Sequence, residues 1–154
     1  KTQCTMKKLP EWLSEYRRAN YDYVRANYPN LPEKAIPTPA KPKDTANEIT
    51  KAIIKYCTWR GWQAERVNVT GRWIFNKRAN RQLWIPTSGT RGSADIHATI
   101  AGMSVKIEVK AGKDRLSDYQ KDYARRVIEA GGHYLVVHSF EDFYNWLKNK
   151  NLLP

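Results

Sequence analysis

Apolar and polar residues alternate strictly along two short stretches in the middle of the chain, S-A-D-I-H-A-T-I (93–100) and S-V-K-I-E-V-K (104–110). Only Ala101-Gly102-Met103 separates them. Alternation of this kind marks strands buried on one face. It sends Ala94, Ile96, Ala98 and Ile100 one way and Asp95, His97 and Thr99 the other. On the second strand Val105, Ile107 and Val109 lie opposite Lys106, Glu108 and Lys110. A hairpin centred on Ala101-Gly102 sets Asp95 across from Glu108, and facing like charges destabilise a strand pair. Two carboxylates forced together, with a lysine two residues on, suggest a divalent cation between them and a polarised water beside it.

Around this hairpin the pattern changes period. Residues 9–29 read as a helix with Pro10 in its first turn and Trp12, Leu13, Tyr16 and Tyr23 on one side. Prolines 29, 32, 37, 39 and 42 then predict a stiff, extended linker. The boundary of the compact domain falls near residue 43, leaving an N-terminal helix and linker (1–43) and a domain over 44–154. A second helix starts at Thr45, where Thr45-x-x-Glu48 matches a capping box. Ile49, Ala52, Ile53 and Tyr56 follow at helical spacing, and Gly61 ends it.

Gln63–Thr70 alternates like a strand, with Val67 and Val69 on one face. Residues 71–86 predict two more strands or a long hairpin arm. A helix over Ser117–Ala130 carries a second capping box, Ser117-x-x-Gln120, and turns Tyr123, Val127, Tyr119 and Ile128 inward. Gly131-Gly132 stops it. H-Y-L-V-V-H (133–138) is a short apolar strand, and Phe140, Phe143, Trp146 and Leu147 mark a last amphipathic helix. A helix between strands 104–110 and 133–137 implies a right-handed parallel crossover. The expected class is α/β (α+β): a mixed sheet with helices on its faces.

Composition narrows the partners. The chain has 154 residues, 41% hydrophobic, with six Trp, nine Tyr and three Phe, enough for one real core. Its 27 Lys+Arg against 15 Asp+Glu give a formal charge of +12, which points to a polyanion, most often nucleic acid. Cys4 and Cys57 are too few for a disulfide framework or zinc cluster, and Cys57 reads as a buried small hydrophobe. The expected setting is reducing and intracellular, cytoplasmic or nucleoid-associated. No apolar run nears the ~18 residues of a membrane span, and no signal-peptide pattern is visible. The chain starts at Lys1 rather than Met, leaving room for an upstream segment.

The spacing D-(x12)-E-x-K, set in a helix–strand–hairpin–helix–strand frame, resembles the PD-(D/E)xK nuclease superfamily. The fuller string G-S-A-D-I-H…K-I-E-V-K-A-G-K-D-R-L-S-D-Y-Q…G-G-H-Y-L-V-V is most similar to its VRR-NUC branch, near the Holliday-junction-resolvase-like nucleases. The similarity spans roughly residues 45–138, strongest over 92–137. Ala94 stands where the family has proline.

The resemblance implies a restriction-endonuclease-like core and a DNA endonuclease acting through a metal-activated water, with branched DNA or junctions as substrates. It implies that Asp95, Glu108 and the carbonyl of Val109 hold Mg²⁺ or Mn²⁺, a choice that oxygen ligands favour. It further implies that Lys110 polarises the attacking water, that Glu48 supports the metal, and that Gln120 packs beside the lysine. A homodimer is a partner it allows.

Each assignment has a plainer rival. Asp95 and Glu108 also read as a solvated strand face neutralised by Lys106 and Lys110. Glu48 and Gln120 also read as capping-box members. His97 fits a substrate contact or a surface residue, while His133 and His138 read as structural. The loop T-S-G-T-R-G-S, through Thr90, Arg91 and Ser93, offers a phosphate grip or an ordinary turn. Lys113 and Arg115 lie where a phosphate track would continue. Arg66, Arg72, Lys77, Arg78 and Arg81, interleaved with Trp73, Phe75 and Trp84, read as an arm over a duplex or junction, or as core and solvated face. The alternative function is a non-catalytic nucleic-acid-binding module on the same scaffold; RNA in place of DNA is a third.

Overall fold

The computed structural model describes residues 9–67, 71–85 and 89–154. Its elements, in chain order, are α1 (Glu11–Asn27), α2 (Ala46–Trp59), β1 (Gln63–Arg66), β2 (Arg72–Asn76), β3 (Arg81–Ile85), β4 (Ile96–Ile100), β5 (Met103–Val109), α3 (Asp118–Glu129), β6 (His133–Val137) and α4 (Phe140–Asn149). Strands β1, β4, β5 and β6 form a four-stranded mixed sheet in the order β1-β4-β5-β6. The first two pairings are antiparallel, and β6 returns parallel to β5 after α3. β2 and β3 make a separate two-stranded sheet. The strand expected over Gln63–Thr70 ends at Arg66; Val69 and Thr70 lie outside the described residues.

One sheet face is apolar. Ile96, Ala98, Ile100, Val105, Ile107 and Val137 are buried there against α1, α2 and α4. Tyr16, Tyr56, Phe140 and Phe143 fill the centre with mostly tilted and edge-on ring contacts, as ring quadrupoles prefer. Each such buried side chain contributes about 1.5–3 kcal/mol. Trp12, Leu13, Tyr16 and Ala19 of α1 belong to this same cluster, so α1 and residues 44–154 share one core. The proline-rich stretch runs back along α1, where Asn20 Nδ2 donates to Pro37 O at 2.8 Å and Arg17 Nε to Pro39 O at 3.3 Å. It contains a short 3₁₀ turn at Glu33–Ala35.

Local signals at helix ends fared unequally. The Ser117/Gln120 box is formed, and so is a second at Ser139/Asp142. The box expected at Thr45 is not: Thr45 is the N-cap, but its side chain makes no capping bond. Glu48 is instead drawn to Lys51 one turn on, at 3.0 Å.

Helix α3 covers the opposite, polar sheet face. Tyr123 and Val127 are half-buried against it, but Tyr119 and Ile128, expected inward, are exposed. A sheet face carrying Lys106, Glu108 and Tyr134 offers a narrow apolar stripe, which two α3 residues satisfy. No helix of the described residues is long and apolar enough to cross a membrane.

Candidate functional site

The β4–β5 register pairs Ile96 with Ile107 and Ile100 with Met103, so the ladder is centred between Ala101 and Gly102. One step beyond its last pair stand Asp95 and Glu108. Asp95 Oδ2 accepts from the Val109 backbone N–H at 2.9 Å, and the Asp95 carbonyl accepts from Val67 N at 2.8 Å. The carboxylate is thereby tied to the strand that carries Glu108 and Lys110.

Glu108 is 2% exposed. Its Oε1 takes Lys110 Nζ at 2.9 Å and the Gln120 amide at 2.5 Å. Lys110 Nζ also donates to Gln120 Oε1 at 3.0 Å, an oxygen that accepts from Ser117 N as well. Gln120 is thus both the capping residue of α3 and the clamp on the pair, so its two readings hold together. The other oxygen, Glu108 Oε2, is buried and has no hydrogen-bond partner among the described residues. Burial first, and the negative charge of Asp95, push the Glu108 carboxyl above the usual range, against the hydrogen bonds from Lys110 and Gln120.

Tyr134, which the sequence reading passed over, closes the site from β6. Its hydroxyl is buried and also lacks a partner among the described residues. Burial, then the charges of Glu108 and Asp95, push its pKa up, so it stays a neutral donor. The parallel β5–β6 register, with Lys106 opposite Tyr134, sets it on the polar face. That register has no signature in the H-Y-L-V-V string itself. Beside it, His97 Nε2 bonds Ser93 Oγ at 3.0 Å and Tyr123 OH at 3.3 Å. Burial, then Lys106, lowers the His97 pKa, keeping the ring neutral near pH 7.

The remaining sequence candidates separate. Glu48 is half-buried beside Tyr16, Pro42 and Lys55, and Lys51, through its hydrogen bond and charge, holds its carboxyl below the ordinary range. Among the described residues no group of three or more His, Cys, Asp or Glu converges. The acids placed together are therefore Asp95 and Glu108, without Glu48. Ser93 is buried and its hydroxyl is spent on His97, so it faces inward rather than toward a phosphate. Arg91 lies 3.7 Å over the Tyr119 ring, and a Cβ on Gly92 would fall 2.4 Å from the Tyr119 carbonyl oxygen. The 89–93 segment is thus pressed onto the first turn of α3; Thr87 and Ser88 lie outside the described residues. Thr90, Lys113 and Arg115 are exposed.

Two oxygen ligands and a backbone carbonyl suit a hard divalent cation that keeps several waters, as Mg²⁺ does, and give zinc too few partners. Leaving a buried oxygen such as Glu108 Oε2 unsatisfied costs about 1–3 kcal/mol or more. No known family model matches the chain, and no curated protein does.

Proposed function

We propose that this chain is a Mg²⁺- or Mn²⁺-dependent nuclease of the PD-(D/E)xK kind, on a restriction-endonuclease-like core of the VRR-NUC branch, hydrolysing DNA phosphodiesters. The observation that carries the reading is Glu108 Oε2: a buried carboxylate oxygen with no hydrogen-bond partner among the described residues, beside a second carboxylate, while Oε1 is held by Lys110 and Gln120. The +12 charge supports a nucleic-acid substrate.

Asp95, Glu108 and the Val109 carbonyl would hold the ion. When bound, it supplies a Lewis acid for the phosphate oxygens and acidity for a water. Lys110, steadied by Glu108 and Gln120, presents an ammonium that orients the attacking water and offsets charge gathering on the phosphate. The Tyr134 hydroxyl adds an unspent neutral donor. Helix α3 shields one side of the pair and fixes Lys110 before substrate arrives.

The test is incubation of purified protein with supercoiled, linear, single-stranded and branched DNA in Mg²⁺, Mn²⁺ or EDTA. Cleavage with metal, lost in EDTA and in Asp95→Ala and Lys110→Ala, is expected. Binding without a cut under every condition would favour the non-catalytic module.

A further inference from the structure

The β2–β3 hairpin is the feature the proposed chemistry leaves unexplained. Its register pairs Trp73 with Trp84 and Phe75 with Gln82, which puts three aromatic rings on one face. They are 64%, 49% and 58% exposed for Trp73, Trp84 and Phe75. The two strands pack chiefly on each other. A lone two-stranded hairpin is marginal in water, yet this one is braced. Trp73 and Trp84 tilt against each other at 5.5 Å, and Asn76 Oδ1 takes the Arg78 and Ala79 amides at 3.0 Å each. Gly71 backs Trp84 so closely that a Cβ would lie 2.4 Å from its ring, which fixes the indole. Exposed apolar surface held in shape marks an interaction site.

Charge decides what fits it. Between Glu65 and Asp95 the chain has no acidic residue and six Arg or Lys, two of them, Lys77 and Arg78, in the hairpin turn. The hairpin is also inserted between β1, whose Arg66 pairs with Ile96, and the segment leading into Asp95.

We infer that this hairpin is a base-stacking arm: its Trp73/Phe75/Trp84 face takes unpaired nucleotides of a single-stranded or locally opened nucleic acid, while Lys77 and Arg78 meet the phosphates. Rings stack on any base, whereas paired bases in a duplex hide their faces, so the arm selects unpaired substrate. This deepens the nuclease reading by naming its substrate class, but the stacking itself needs no metal.

The experiment is fluorescence anisotropy in EDTA with a fluorescein-labelled single strand and the same sequence as duplex. Trp73→Ala/Phe75→Ala should weaken single-strand binding about tenfold or more, with duplex binding changed less and the salt slope unaltered. Trp73→Phe/Phe75→Tyr, which keeps both rings, should restore it, and matching circular dichroism excludes misfolding. Lys77→Ala/Arg78→Ala should flatten the salt slope by about one to two units. Unchanged single-strand affinity in the ring-deleted variant overturns the inference. So does wild-type partition onto phosphatidylserine vesicles in preference to the strand, or a dimer that dissociates when the rings are removed. A ring-dependent strand binder that never cuts leaves the arm standing and removes the nuclease; a metal-dependent nuclease indifferent to ring loss does the reverse.

Discussion

The carboxylate of Asp95 accepts a hydrogen bond from the backbone N–H of Val109. The β4–β5 ladder stops one step earlier, at Ile96–Ile107, so a side chain occupies a place that a strand carbonyl would otherwise take. Asp95→Asn keeps an acceptor for that amide and loses the charge. It should melt within a few degrees of wild type while cleavage falls at least a hundredfold. Asp95→Ala strands the amide and should lose about 1–3 kcal/mol in urea unfolding as well.

Glu108 carries a pH signature. Its carboxyl is raised in the folded protein, first by burial and then by Asp95. The folded state therefore binds this proton more tightly than the unfolded chain. The stability Glu108 contributes is full below the ordinary carboxylate range and is lost as pH rises through the raised value. Metal-free wild type should gain on Glu108→Gln as pH drops through that window in paired denaturant titrations. A gap that is flat with pH would contradict the assigned burial effect.

An ion held as proposed would bind the folded chain alone, so it should stabilise it. At a hundredfold excess over Kd the gain is about 2.7 kcal/mol. Mg²⁺ or Mn²⁺ should raise Tm, EDTA should reverse the rise, and Glu108→Gln and Asp95→Asn should abolish it. Glu48→Gln should leave it intact, because Glu48 is paired with Lys51 and does not join the two acids.

Gln120 and Ser117 separate capping from clamping. Ser117→Ala removes one capping bond and should cost about 1 kcal/mol with activity largely retained. Gln120→Ala removes the capping bond to Ser117 N and also the contacts to Glu108 and Lys110. It should match Ser117→Ala in stability loss or exceed it, and it should lower kcat at least tenfold beyond the serine variant.

Gly92 tests the docking of the 89–93 segment on α3. Its φ is 81° and a Cβ would collide with the Tyr119 backbone. Gly92→Ala should lose about 1–3 kcal/mol and weaken DNA binding, read by thermal melting and anisotropy.

How much of this was legible in the sequence depends on whether the signal was local. Period-2 alternation over 93–110 gave the hairpin, its faces and the Asp95–Glu108 approach, because each strand's side chains obey the pleat regardless of neighbours. The Ser117 box was legible for the same reason. Thr45 shows the limit: the identical pattern failed where a nearby lysine competed for the glutamate. Glu48 was placed by analogy with a family frame, and only tertiary packing could show that its face of α2 looks toward Tyr16 and the proline stretch. Tyr134 needed the parallel register, and Gly92 needed the approach of two segments distant in sequence. The sharing of α1 with the main core lay behind five prolines, whose composition says linker while Asn20 and Arg17 hold that linker down.

The turn at Ala101-Gly102 bears on how the acids stay aligned. Ala101 sits at φ 48°, where a side chain is disfavoured, so the bend itself does little to choose the pairing. The choice falls to the hidden isoleucines on either side. A slip by one position would drive Glu108 among Tyr56 and Phe143 and turn Ile107 out beneath α3. Misalignment of the two acids is therefore the same event as a ruptured interior, and folding rejects it.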